Sequence, residues 1–163
     1  MSESVIQPPA SASTPAELYH GSSRRGIEAS FRVLIPKEWR PENGPTEFVV
    51  IPWPLGKEPH DHLLVLSKRR YLDSMEDLRR KSQTNADAAA FKRRLGSLSK
   101  EVHFDRYGRL ALSDSLLQSA EIGNEAELIG CVDHFEIWSP TKYAAIRAAD
   151  MKAAGEVQHQ FFV

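Results

Sequence analysis

Asp105-Arg106-Tyr107-Gly108-Arg109-Leu110-Ala111-Leu112 restates a phrase the chain has already used 77 positions earlier, Glu28-Ala29-Ser30-Phe31-Arg32-Val33-Leu34-Ile35. Both read acid, three residues, arginine, then a β-type run. Trp39 and Leu116 follow at the same offset. Further on, Leu64-Val65-Leu66-Ser67 with Tyr71 matches Glu136-Ile137-Trp138-Ser139 with Tyr143, now 72 positions apart. The lost five positions fall where the first half carries a loop punctuated by proline and glycine, from Ile51 to Pro59. A tandem repeat of one βββα-like unit tolerates an insertion confined to a loop. The chain therefore reads as a duplicated α+β unit.

An acid four residues before an arginine has a local use. Gly108 can take positive φ, so Asp105 to Arg109 reads as a tight hairpin whose carboxylate holds the arginine or nearby turn amides. An ion pair that only sets the turn would look the same. In the first copy Glu28 is the acid and Phe31 stands where the glycine would be. Phenylalanine pays sterically for positive φ. The first hairpin is expected to turn differently or to carry Phe31 for contact.

Outward from these hairpins, strand-like runs appear at Phe48-Val49-Val50-Ile51, Leu63-Leu64-Val65-Leu66, Val102-His103-Phe104, Glu127-Leu128-Ile129 and Phe135-Glu136-Ile137-Trp138. Ser67 is placed to cap a helix carrying Tyr71, Leu72, Met75 and Leu78 at helical spacing. A second helix is predicted over about residues 86–98, with Phe91, Leu95 and Leu98 as its stripe. Ser139-Pro140 opens a last one, the serine capping and the proline at the first helical position. The resulting division is a disordered tail over 1–17, a first unit over 18–82, a connecting helix over 83–99, a second unit over 100–152 and a C-terminal tail over 153–163. The opening tail is rich in Ser, Pro and Ala, too poor in apolar residues to offset its ordering entropy.

Composition narrows the function classes. With 163 residues, 41% of them hydrophobic, the chain can bury a core without a disulfide or metal staple. One cysteine, Cys131, excludes an internal disulfide and fits a reducing cytoplasm. No run approaches a membrane span or a secretory leader. The net charge of −1 hides polarity: residues 68–94 carry +5 and residues 110–163 carry −5. Such polarity suits an anionic partner at one face, and equally suits a solvated helix.

The assembled pattern resembles the MraZ family of bacterial transcriptional regulators, which are built from two tandem AbrB-type (SpoVT-AbrB) units. The likeness runs from about Tyr19 to Asp150. Val102-His103-Phe104-Asp105-Arg106-Tyr107-Gly108-Arg109-Leu110 matches the family's second hairpin. Leu128-Ile129-Gly130-Cys131-Val132-Asp133-His134-Phe135-Glu136-Ile137-Trp138 is similar to its L-V-G-x-x-x-x-F-E-I-W stretch, the most specific of the matches. Tyr19-His20-Gly21 through Ile35-Pro36 has the register of its N-terminal F-x-G … D-x-x-G-R-L-x-I-P, although Glu28, Ser30 and Phe31 depart from it.

The resemblance implies an α+β fold of tandem swapped-hairpin units, a double-split β-barrel with helices packed outside. It implies a cytoplasmic, nucleoid-associated homo-oligomeric ring that binds double-stranded DNA at direct repeats upstream of its own division and cell-wall gene cluster. It carries DNA contact to Arg32, places Arg24 and Arg25 near phosphates, and makes Arg109 the second-repeat counterpart. Glu28 and Asp105 are then the turn-organising acids. Two alternatives stay open: an assembly protein of the same fold that has lost DNA through its altered first hairpin, and an AbrB-fold antitoxin.

Rival chemistries find little purchase. His60-Asp61-His62 evokes a metal, but a third ligand has no recognisable spacing. Cys131, Asp133 and His134 evoke a nucleophile and base, yet no oxyanion-hole loop accompanies them. Serines sit in no nucleophile elbow, and no glycine-rich loop cradles a phosphate. The expectation is no enzyme, no cofactor, no metal, no membrane and no small-molecule substrate. The bases of residues 68–94 are expected to face solvent or neighbouring subunits.

Overall fold

The computed structural model describes residues 17–40 and 46–162. The expected N-terminal tail falls, apart from Glu17, outside the described residues. Eight strands and four α-helices follow one another as β1 (Ser22–Gly26), β2 (Arg32–Leu34), β3 (Glu47–Trp53), β4 (His62–Ser67), α1 (Lys68–Lys81), α2 (Ala86–Leu98), β5 (Lys100–His103), β6 (Arg109–Ala111), α3 (Asp114–Ser119), β7 (Glu125–Gly130), β8 (Phe135–Trp138) and α4 (Pro140–Phe161). Capping hydroxyls start the helices where the sequence placed them. Ser67 Oγ accepts from the Arg70 amide and Ser139 Oγ from the Lys142 amide. Asn85 caps α2 by accepting from the Asp87 and Ala88 amides.

The strands form a six-stranded antiparallel sheet in the order β1-β7-β8-β4-β3-β5 and a separate pair, β2 with β6. Exchanging each strand for its counterpart in the other half, β1 for β5, β3 for β7 and β4 for β8, reverses that order and leaves it unchanged. The two halves are thus related by a pseudo-twofold axis. The first strand of each half pairs with the third strand of the other: Arg24 lies opposite Glu127, and Phe48 opposite Val102. The middle strands pair with each other, Val33 opposite Leu110.

Alternation along β3 sorts its side chains onto two faces. Phe48 and Val50 enter the main core with Val33, Leu63, Val65, Leu110, Leu128, Phe135 and Ile137, under the β2–β6 pair. Val49 and Ile51 enter a second core with Leu55 and Leu95, under α1 and α2. Helices α1 and α2 and the β2–β6 pair therefore occupy opposite faces of the sheet. Tyr19, Trp39, Phe48 and Phe135 interlock at centroid distances of 5.1–6.2 Å. The loop expected as an insertion is tied down: Leu55 is buried, and Arg94 donates to the Leu55 carbonyl and pairs with Glu58 at 2.8 Å.

Three elements differ from the sequence reading. The strand β1 carries no apolar alternation and takes its form from pairing with β7. Helix α3 spans six residues, too short for a periodic signal, and is fixed by Ser113 capping and burial of Leu116 and Leu117. Helix α4 runs to Phe161, through the segment expected to be a tail. Its last turns are exposed, so no apolar stripe announces them, and alanines, lysine and glutamine favour the helix by intrinsic propensity.

Candidate nucleic-acid interface

The pairing of β2 with β6 brings the two acid-x-x-x-arginine hairpins side by side. In each, the backbone closes between acid and arginine: Glu28 N donates to Arg32 O at 2.8 Å, and Asp105 N to Arg109 O at 2.9 Å. Gly108 takes φ 82°, as the sequence required. Phe31 takes φ 59° after Ser30 at 62°. The first hairpin thus turns differently from the second, as expected, with two successive residues in the left-handed region where the second has Gly108 alone. The first hairpin passes through the left-handed region at the glycine position, despite a cost on the order of 1 kcal/mol or more. The backbone compensates, since the Leu112 amide donates to the Phe31 carbonyl at 3.0 Å. Phe31 itself stays exposed.

The acids and arginines cross between hairpins. Asp105 Oδ1 accepts the Tyr107 and Arg109 amides, and its Oδ2 accepts Arg109 Nε at 2.8 Å. Arg109 also reaches Glu28 at 3.5 Å, and Arg32 reaches Asp105 at 3.5 Å. The consequence is asymmetry. The Arg109 side chain is 22% exposed and committed to two carboxylates, whereas that of Arg32 is 40% exposed with one long contact. Arg109 organises the knot, and Arg32 has a guanidinium to offer.

Other cations cluster here without having been singled out in the sequence. Arg40 lies over Gly108, where a Cβ would collide with its guanidinium, and donates to the Tyr107 carbonyl at 3.3 Å. Gly108 is required by its φ, and a side chain there would also have to displace the Arg40 guanidinium. Arg106 and Arg109 both stack on the exposed Tyr107 ring, at 4.8 and 5.2 Å from its centroid. Arg40 and Arg106 have no periodic or motif signal, because their positions depend on how the hairpins meet. On neighbouring β1, Arg24 is paired with Glu127 at 2.9 Å. Arg25 is half-buried with its Nε unpartnered.

The bases of α1 and α2 lie on the opposite face of the sheet and are largely neutralised. Lys68 meets Glu47 and Glu101, Arg69 meets Glu17, Arg70 meets Asp133, and Arg79, Arg80 and Lys81 meet Glu76 and Asp77.

Electrostatics tie the knot to pH. Burial pushes the Asp105 carboxyl up, but the Arg109 and Tyr107 amides and the Arg109 guanidinium outweigh it and hold it below its usual range. A depressed carboxyl contributes stability above its unfolded pKa of about 3.9 and loses it as pH falls through the lower folded value. Melting temperature should therefore fall below about pH 4. Asp105→Asn should lower it at neutral pH and flatten that acid limb. A variant with an unchanged acid limb would remove Asp105 from this role.

Two β-hairpin units interlocked within one chain and carrying a shared arginine–carboxylate knot define an α+β protein of tandem-repeat type. A family model described as "MraZ protein, putative antitoxin-like" matches residues 98–160. Relatives named transcriptional regulator MraZ span most of the chain. The Finegoldia magna protein is 30% identical over 117 residues, covering 72% of this chain and 78% of its own. The Clostridium tetani protein is 28% identical over 134 residues, 82% and 90% of the two chains. The Polaromonas protein is 27% identical over 144 residues, 88% and 96%. The chain belongs to the MraZ family. No described helix is long and apolar enough to cross a membrane.

Proposed function

We propose that this chain is a DNA-binding transcriptional regulator that reads short direct repeats upstream of its own division and cell-wall gene cluster. The β2–β6 end is its DNA-facing surface. The strand exchange between halves supports a swapped-hairpin, double-split barrel, and a homo-oligomeric ring would present one such end per subunit. One observation carries the reading: Arg32 is the weakly committed arginine of a knot whose other arginine is fully engaged. A free guanidinium can fork onto phosphate oxygens or onto guanine O6 and N7 in the major groove. Each contact is weak alone, but subunits spaced to match the repeats gain through effective concentration. Association with the nucleoid follows from that binding. Arg24, Arg25 and Arg109 flank the contact, and Glu28 and Asp105 hold its geometry.

The test is titration of labelled duplex from upstream of the protein's own gene against a scrambled duplex, at two salt concentrations. Preference for the native repeats is expected, with a log–log salt slope of about −0.9 per phosphate neutralised. Absence of binding at low salt by a folded oligomer would overturn the reading and favour an assembly protein whose altered first hairpin has left DNA.

A further inference from the structure

On the helix-facing side of the sheet, away from the arginine knot, strand β8 and the β7–β8 turn bring three donor groups together, and His62 of β4 lies against one of them. Cys131, Val132, Asp133 and His134 form the turn itself. The Cys131 amide donates to the His134 carbonyl at 2.9 Å, and Val132 takes φ 69° at the tip. The Tyr19 and Val132 backbones clamp the turn with two hydrogen bonds, at 2.8 and 3.1 Å. Cys131, His134 and Glu136 each direct one donor atom into a space where all three lie within 4.8 Å of one another. His134 Nε2 is 3.3 Å from Glu136 Oε2, and His62 Nε2 is 3.4 Å from the same oxygen.

His62 stands outside that group of three and reaches it through Glu136. Its side chain is 9% exposed, and neither ring nitrogen has a hydrogen-bond partner, the approach to Glu136 lacking the alignment of one. A buried imidazole with two idle nitrogens costs free energy unless something engages it. Trp138 stacks on it at 4.5 Å between centroids and holds its plane.

We propose that Cys131, His134, Glu136 and His62 form a binding site for a single divalent zinc-like cation. Three further features of the geometry suit such an ion. Tetrahedral bonds of about 2.0–2.1 Å to nitrogen and oxygen place adjacent donors about 3.3–3.4 Å apart, the spacing found around Glu136 Oε2. The outer shell is built: Asp133 Oδ1 lies 2.8 Å from His134 Nδ1, and Trp138 Nε1 donates to Glu136 Oε1 at 2.8 Å. A carboxylate behind a ligating histidine fixes its ring and raises its basicity. Finally, a thiolate and a carboxylate neutralise a dication. A bound cation would fasten the β7–β8 turn to β4 and, through the clamp, to the segment at Tyr19.

The sequence discounted a metal at His60-Asp61-His62 because no third ligand had a recognisable spacing. His60 Nδ1 lies against the Pro54 carbonyl at 2.8 Å, apart from His62. The signal available was Cys131 and His134 together at one tight turn, two zinc-ligating residue types three positions apart.

Untagged full-length protein, stripped with chelator, is titrated with Co²⁺ alone and then Zn²⁺ alone. One Co²⁺ per chain is expected, with thiolate-to-cobalt charge-transfer absorption and tetrahedral d–d bands, displaced by Zn²⁺ and accompanied by a rise in Tm. Cys131→Ser should abolish the charge-transfer band and weaken Zn²⁺ about 100-fold or more, and His62→Gln should keep the band while weakening binding at least about 10-fold. Asp133→Asn, outside the ligand set, should cost about 10- to 100-fold and serves if a ligand variant misfolds. A folded wild-type protein without the charge-transfer band, or Zn²⁺ affinity indifferent to Cys131→Ser, would overturn the proposal and leave only surface histidines binding metal.

Discussion

Arg32→Ala should weaken binding to the native repeats by at least about tenfold while leaving the fold intact. One well-formed guanidinium contact to a base is worth about 1–3 kcal/mol of discrimination, and in the proposed ring the loss would recur at every subunit engaged. The structural cost is small, because Arg32 is substantially exposed and its one ion pair, at 3.5 Å, is long. Exposed pairs of that kind contribute about 0–1 kcal/mol. Arg109→Ala should behave oppositely, with loss of stability preceding loss of binding, since Glu28 would lose its arginine and Asp105 the nearer of its two. Fluorescence anisotropy on the upstream duplex, paired with thermal melts, separates the two. An Arg32→Ala protein that melts like wild type and binds with unchanged affinity would remove Arg32 from the interface.

Gly130→Ala should produce a large loss of stability, about 3 kcal/mol. A Cβ at position 130 would lie 2.5 Å from the Tyr19 carbonyl oxygen, 2.7 Å from its carbon and 2.9 Å from the His20 nitrogen. All three are backbone atoms, so no side-chain rotation relieves the clash. Retreat of that segment would break the Gly130 N to Gly21 O hydrogen bond of 2.8 Å and both Tyr19–Val132 bonds. It would also withdraw Tyr19 from its packing against Trp39 and Phe135. Overpacking of this kind costs about 1–3 kcal/mol, and the lost hydrogen bonds add to it. For a chain of this size that corresponds to a fall in Tm of about 6–12 °C. Gly155→Ala, where nothing lies near the added carbon, is the control and should be neutral or slightly stabilising. Equal melting of the two variants would show that the Tyr19 segment yields freely.

The sequence by itself determined the local elements and their duplication. Ser67, Ser139 and Pro140 mark helix starts because capping is a property of a few adjacent residues. Asp105, Gly108 and Arg109 specify a hairpin because the φ demand and the carboxylate bonds fall within five positions. The repeated acid-x-x-x-arginine phrase likewise showed that two such units share one chain.

Only the tertiary structure decided how those units use one another. That β1 pairs with β7 and β5 with β3 depends on contacts across most of the chain, which no local periodicity encodes. The same long-range pairing decided which arginine is free. Arg32 and Arg109 stand in equivalent sequence positions, yet Asp105 bonds its own arginine more closely than the other hairpin's. It also decided that Phe31 would enter a glycine's conformation, because the Leu112 amide waits across β6 for its carbonyl. His62 met Glu136 and His134 by the same means, separated by more than seventy residues and joined by the β4–β8 register. Backbone propensity acts over a few residues and hydrogen-bonded strands act over any separation, so the hairpins were legible and their meeting was not.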